Sequence, residues 1–556
     1  MPRKTHRPID ELESELKSLV EDVWAGPHAE WETDALYYDG EYTVELPEWI
    51  TKSRKVTPTD PRQTIDHAVD QIITAEPVAR RPQVGEKKKA RELASTLGTW
   101  ATHFLRTLNR DAMVPPFKTF GKHLFLYGYA ALYGPIWDDA IWPLRPNRQR
   151  KDFDEALTRR GEHIKRLFPF RLEVPHPSKI LLDPSELKQP TFGYLRTRRY
   201  LKSLREEFDK PREQMLGKDW AEVEVYTYWD ANQHTVWAGS ADDRVLIDEK
   251  ENPYGFVPFR QAFLGLGRDV GFNEIGAQSS GTGGLTKMAV GFLRFLRSQI
   301  RSKALQATAL DHMLYRWAFQ HILTTEDGEQ FTDEYGQGMV MGGLPSPLRD
   351  NVIWEDVPNV PGWVFQVASD RRADIEAGTF GDILRGGRPT GVDTASQHFQ
   401  ITAKAKQVFN NPIQQINHVA SLVTGDAARL VTVFKDPVTL RGMIGKDRAE
   451  VTIDADDLQD NFIFDVDIEA SDPIEQSDRL SALFALKQAG QIDSETFVEE
   501  MPPILKITQK ELKDRLLKQG AIEIALQDPE IQALIKAEVQ RRFMDKVAGN
   551  GAQALG

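Results

Sequence analysis

The stretch Glu222-Val-Glu-Val-Tyr-Thr-Tyr-Trp-Asp230, continued by Ala-Asn-Gln-His-Thr-Val-Trp-Ala238, decides the fold class. Val223, Val225, Thr227 and Trp229 alternate with Glu222, Glu224, Tyr226 and Tyr228, the period of two that gives a strand two unlike faces. Asp230 to Gln233 supplies turn residues and His234 to Ala238 returns, so the whole reads as an antiparallel hairpin. The same period recurs upstream in Arg171 to Val174, Lys179 to Leu182 and Thr191 to Thr197, punctuated by Pro175, Pro177 and Pro184, and downstream in Val245 to Asp248 and Phe256 to Phe263.

Helical patterns lie on both sides of this strand-rich middle. Leu36 to Ile50 reads as an irregular aromatic arm, after which Asp60 and Pro61 open a helix with Ile65, Ala68, Val69, Ile72 and Ile73 on one face. A second helix, Lys87 to Asn109, repeats Ala90, Leu93, Ala94, Leu97, Phe104, Leu105 and Leu108; a third, Phe117 to Tyr133, is apolar nearly all round and therefore expected to be buried. A glycine-rich stretch, Gly265 to Gly284, precedes a long helix from Leu285 to about Trp317, then a loop-rich module from Thr324 to Gly362 and a helix from Phe365 to Leu384. The loop Arg385-Gly-Gly-Arg-Pro-Thr-Gly391 leads into a helix capped by Asp393 or Thr394 and running to Phe434, in which Pro412 is expected to force a kink. Strands return at Glu450 to Ile453 and Asn461 to Glu469, and Ile474 to Ala548 is helical. Strands gathered apart from helices make the fold class α+β.

At 556 residues the chain has room for roughly three to four domain-sized units of about 150 residues. Having no cysteine, it is excluded from disulfide frameworks, thiolate metal sites and cysteine nucleophiles. Met1 to Val20 lacks the apolar core of a secretory signal, and the longest apolar run, His123 to Tyr133, is interrupted by Gly128 and falls well short of the roughly eighteen residues a membrane span needs. A start in the cytoplasm and no membrane role are expected.

Catalytic patterns are sparse. Gly276-x4-Gly281 beside Thr286-Lys287 has the wrong spacing for a phosphate loop and reads as a hinge. Asp465, Asp467 and Glu469 share one strand face and suggest Mg²⁺, but Phe464, Val466 and Ile468 on the other face make half-buried alternation the simpler reading. There is no H-E-x-x-H and no G-x-S-x-G; His123, His312 and His418 sit among apolar neighbours as structural residues. Neither a metal nor another cofactor is expected.

Charge is more telling. The net charge is −13, yet Gly281 to Arg316 carries +5 and Lys446 to Glu500 carries −12. On a helix, Lys287, Arg294, Arg297 and Arg301 fall in an arc of roughly 80°, nearly opposite Leu285, Met288, Phe292, Phe295 and Leu296. A solvated face is one reading; since such faces usually mix signs, a negatively charged partner, DNA phosphate or an acidic neighbouring subunit, is the better one.

The order of parts resembles the portal proteins of tailed double-stranded DNA bacteriophages: the strand-turn-strand Arg171 to Pro184, the strand entry Asn252-Pro-Tyr-Gly-Phe-Val-Pro-Phe259, then helix, inserted module, helix, basic glycine loop and kinked helix, over roughly Thr59 to Leu517. The resemblance implies an N-terminal arm (1–58), a wing (59–280 and 435–470), a stem helix (281–317) with its return (365–384), a clip (318–364), a tunnel loop (385–392), a tunnel helix (393–434) and a helical crown with its tail (471–556). It implies a non-enzymatic ring of twelve subunits at one capsid vertex of the virion, assembled in the host cytoplasm, through which DNA is packaged and ejected. Partners would be the large terminase, scaffold and major capsid protein, and later the head-completion or tail adaptor proteins. Arg385, Arg388 and Lys404 would meet DNA in the channel. The alternatives are another virion component, such as a tail or baseplate protein, or a Mg²⁺-dependent nuclease built on the acidic strand.

Overall fold

The computed structural model describes residues 6–45, 55–82, 88–139, 141–143, 169–208, 217–239, 244–268, 284–318, 409–444, 447–458 and 461–469, with residues 215, 322–323 and 353–354 and parts of 154–160, 332–337 and 362–369. It combines abundant helix with several antiparallel sheets, in keeping with an α+β class. The chain divides into two compact units, 1–438 with 452–470, and 439–451 with 471–556.

The first unit begins with α1 (Ile9–Ser18), a π-helical turn (Leu19–Val23) and α2 (Ala25–Asp39). Trp24, Pro27, Trp31, Asp34 and Tyr38 follow one another at three- and four-residue steps and all are buried, so this segment has the stripe of a packed helix. Gly40, at φ 76°, ends α2 in the left-handed conformation that favours glycine. The irregular arm expected from Leu36 is thus, up to Asp39, the last turn of a helix, whose stripe shows only in a window that begins at Trp24. Trp31 stacks on Tyr129 at 5.3 Å and donates its indole N–H to the Tyr127 carbonyl at 3.0 Å, building the segment into the core.

Then come α3 (Asp60–Ile72), β1 (Ile73–Arg80), α4 (Lys88–Asp111), α5 (Pro116–Tyr127) and β2 (Tyr129–Trp137). The first two expected helices form within a residue or two of their predicted bounds. The third is shorter than expected: it stops at Tyr127, Gly128 turns left-handed at φ 72°, and Tyr129 to Tyr133 continue as a fully buried strand. An apolar run with no polar side suits a buried strand as well as a buried helix, and the glycine decides where one becomes the other.

The hairpin forms as read, within a sheet of five antiparallel strands in the order β4 (Ile180–Leu182), β5 (Phe192–Tyr200), β6 (Glu222–Asp230), β7 (Gln233–Ala238) and β8 (Val245–Glu251). Its tight end pairs Trp229 with His234. A short helix, α6 (Leu201–Glu207), follows β5. The second sheet sets β2 between β3 (Phe170–Glu173) and β9 (Phe259–Phe263).

The expected single helix from Leu285 is two, α7 (Gly284–Met288) and α8 (Phe292–Ala318). At the break the chain crosses the α5–β2 turn so closely that a Cβ on Gly291 would lie 1.9 Å from the Leu126 carbonyl oxygen, and one on Gly128 would lie 2.2 Å from Val290. Two glycines permit that crossing, and the helix gives way there. After α8, β10 (Ile322–Leu323) pairs with β13 (Ile353–Trp354), and between them β11 (Thr332–Asp333) pairs with β12 (Gly336–Gln337).

The helix α9 (Asn410–Phe434) packs into the body and buries Ile413, Ile416, Val419, Val423, Ala427, Leu430 and Val431 among others. Pro412 lies in its first turn and opens the helix instead of kinking it; an N–H missing there forfeits no intrahelical bond, because the first four lack acceptors anyway. Next come β14 (Val438–Ile444), β15 (Asp447–Ile453), α10 (Ala455–Leu458) and β16 (Asp465–Glu469). β14 and β15 form a hairpin whose residues 439–451 belong to the second unit. β1 and β16, nearly 400 residues apart in sequence, pair antiparallel, with Val78 opposite Asp467. The loop 385–392, the helix start at 393–408 and the crown 471–556 lie outside the described residues, as does most of 365–384.

Candidate functional site

The cationic stripe divides at the α7–α8 break. Lys287 belongs to α7, while Arg294, Arg297 and Arg301 stand on successive turns of α8. The three arginines turn toward the N-terminal segment. Arg297 Nε donates to Asp34 Oδ1 at 2.9 Å, Nη1 to Glu30 Oε2 at 2.5 Å and Nη2 to the Glu30 carbonyl at 2.8 Å. Arg294 Nη1 donates to the Thr286 carbonyl at 2.6 Å and its Nε lies 3.4 Å from Glu30 Oε2. Arg301 Nη2 reaches Glu45 at 2.7 Å.

This corrects the sequence reading of the stripe. The charge pattern points to an anionic partner outside the chain, in DNA or another subunit, whereas three of the four side chains have carboxylate partners within the chain, on α2 and just beyond. The signal was available: residues 6–45 hold twelve acids against Arg7 and Lys17, a net −10, a complement to the +5 of Gly281 to Arg316. What hid the pairing is the separation of more than 250 residues between the partners.

Burial sets the electrostatics of this junction. Asp34 has no exposed surface, and burial pushes its carboxyl up to about 6 against the opposing pull of Arg297 and Arg294. Burial likewise lowers Arg294 from the usual guanidinium value, against the pull of Glu30 and Asp34. Two further anchors hold the same segment. Arg7 bonds Glu11 at 2.8 Å, Glu15 at 3.1 Å and the Tyr228 hydroxyl at 3.1 Å, while Arg244 pairs with Glu13 at 2.7 Å and with Asp10. These contacts fasten the N-terminal segment, with Arg297 and Arg7 spending several donors on its carboxylates and on Tyr228, while Asp34 Oδ2 and Arg294 Nη2 are left buried without a hydrogen-bond partner.

The acidic strand behaves as alternation predicts. Phe464, Val466 and Ile468 are buried, and Asp465 and Asp467 sit opposite Arg80 and Val78 across the β1–β16 ladder. Among the described residues no group of three or more His, Asp or Glu is arranged to hold a metal ion, and no helix is long and apolar enough to cross a membrane. Arg385, Arg388 and Lys404 fall outside the described residues, so the channel contacts expected of them gain no geometry. No protein-family model matches the chain, and no curated protein matches its sequence.

Proposed function

We propose that the chain is the subunit of a portal-type ring, a non-enzymatic conduit for double-stranded DNA at a capsid vertex. The observation that carries this reading is the course of the chain beyond the sheets. A 27-residue helix, α8, follows the sheets; two short strand pairs come next, Thr332–Asp333 with Gly336–Gln337 falling in sequence between Ile322–Leu323 and its partner Ile353–Trp354; and the long helix α9 packs into the core. That order, long helix, nested strand pairs, long helix, supports the reading because it is the order a stem, a clip and the return to the wing would take. The roles that go with it are a ring of about twelve copies, attachment of a packaging motor and scaffold during assembly, and a tail connector afterwards.

DNA guidance then falls to the loop 385–392 with Arg388 and to Lys404, because the α8 arginines are already engaged by Glu30, Asp34 and Glu45. The chain's net charge of −13 suits a conduit: contact strength rises steeply with each phosphate neutralised, so an acidic wall with few bases lets the duplex slide. A heterologous contact that closes on itself gives the cyclic symmetry of such a ring. Negative-stain microscopy and mass photometry of the purified full-length protein test the proposal. Closed rings with a central hole are expected; particles of monomer mass throughout the micromolar range, with scaffold present as well as absent, overturn it.

A further inference from the structure

Three histidines meet where α2 crosses α5 and the turn before β4. His28 comes from α2, His123 from α5 and His176 from the turn, with His123 and His176 ring centroids 5.9 Å apart. His176 is hydrogen-bonded at both ring nitrogens. Nδ1 lies 2.8 Å from the Ser178 hydroxyl and 3.3 Å from the Ser178 backbone N–H, and Nε2 lies 2.9 Å from the Tyr127 hydroxyl. His28 Nε2 and His123 Nδ1 are buried without hydrogen-bond partners, each ring lying against an aromatic: Trp31 at 5.3 Å for His28 and Tyr127 at 5.7 Å for His123.

The charged surroundings are mostly cationic. Arg196 of β5 acts on His28, Lys122 of α5 on His123 and Lys179 on His176, each disfavouring a protonated ring. On the acidic side, Asp34 and Asp39 of α2 act on Tyr127, Asp66 of α3 lies 3.5 Å from Lys122, and Glu30 and Asp34 are tied to Arg294 and Arg297 of α8. Among the described residues no carboxylate is bonded to any of the three rings.

We propose that the His28–His123–His176 junction is an acid-sensitive latch, holding the N-terminal segment on the body while its rings are neutral and releasing it when they take up protons. Release carries Glu30 and Asp34 away from Arg294 and Arg297 and uncovers that cationic face. The sign follows from linkage. Burial, reinforced by the neighbouring cations, lowers His28 to about 4 and His123 to about 3, so the closed form binds fewer protons than the open one and loses stability as pH falls below about 6.5. Asp34, raised to about 6, works the other way, since its protonation favours the closed form. By pH 5 the two histidines favour opening by about a thousandfold and Asp34 opposes by about tenfold, a net of roughly a hundredfold.

Amide hydrogen exchange between pH 7.5 and 5, corrected for intrinsic rates, reads this directly. Protection of α2 is expected to fall by about a hundredfold while the five-stranded sheet keeps its own, and His28→Phe with His123→Phe, which preserve ring packing and remove the titration, should abolish most of that fall. Equal loss in α2 and the sheet, or an unchanged pH response in the double variant, overturns the latch. If the variant fails to fold, exchange of the histidine C2 hydrogens in the wild-type chain decides: strongly depressed titration of His28 and His123 supports it, and titration near the ordinary value of about 6.5 overturns it.

Discussion

The two long helices of the body, α8 and α9, each carry an arginine–aspartate tie, and the ties differ in what surrounds them. In α9, Asp426 meets Arg260 of β9 at 2.5 Å with the side chains only 9 % and 7 % exposed, and Arg260 spends another donor on the Phe259 carbonyl at 2.9 Å. In α8, Arg297 meets Asp34 and Glu30 where a separate segment docks, and its neighbours grade outward to Arg301, whose partner Glu45 is 91 % exposed. Both aspartates are pushed up to about 6 by burial. The chemistry is shared and the consequence is not: the α9 tie sits inside the core, whereas the α8 ties fasten one part of the body to another and weaken along the helix.

The largest effect is therefore expected at α9. Arg260→Ala leaves Asp426 buried without its cation, a change that typically costs about 3–5 kcal/mol. Removing the arginine also removes most of what restrains the Asp426 pKa, leaving only Arg429, so its folded-state value rises further above the unfolded value. A carboxyl whose pKa is raised on folding gains stability as pH falls, so the deficit should shrink between pH 7.5 and 5. Urea melts of variant and wild type at the two pH values check both parts. A deficit below about 1 kcal/mol, or one that grows on acidification, would show that the α9 tie resembles the docking ties after all.

That contrast also marks what the sequence made legible. The hairpin was readable because Glu222 to Ala238 states its period, its turn and its return within seventeen residues. The strands β1 and β14 were missed: β1 follows α3 without a break, and its partner β16 lies nearly 400 residues away, so no local window contains the reason for it. Pro412 reads from the sequence as a mid-helix kink, which the structure overturns, because a proline reads alike in a middle turn and a first one until the helix start is known. For the site, the arc of Arg294, Arg297 and Arg301 was visible from helical geometry while its partner was not, because ion pairing across more than 250 residues leaves no spacing rule. The three-histidine junction had no signal at all, since its members come from three elements and each alone looks like a core histidine.

A second, smaller effect separates the tie at the docking boundary from the one in the core. Arg297→Met keeps much of the side chain's bulk but leaves Asp34 buried and unpaired; with Glu30 partly exposed and able to turn to water, the cost should fall to about 2–3 kcal/mol. Its location should differ as well. Hydrogen exchange is expected to show lost protection in α2 with little change in α9, the reverse of Arg260→Ala. Equal loosening of both helices would mean that the segment 6–45 and the core respond as one cooperative unit.

The smallest effect is expected one turn further along α8. Arg301 is about half exposed and Glu45 almost wholly so, and an ion pair in that setting spends its Coulomb gain on ordering two long side chains and is screened by salt. Arg301→Ala should cost less than about 1 kcal/mol, leave exchange in α2 unchanged, and show a difference from wild type that vanishes at high salt. The comparison is informative because Arg301 belongs to the same arc as Arg297, so sequence geometry gives the two equal weight. If Arg301→Ala instead matched Arg297→Met in size and persisted in salt, the gradient along α8 would be absent, and Glu45 would have to be held more firmly than its exposure allows.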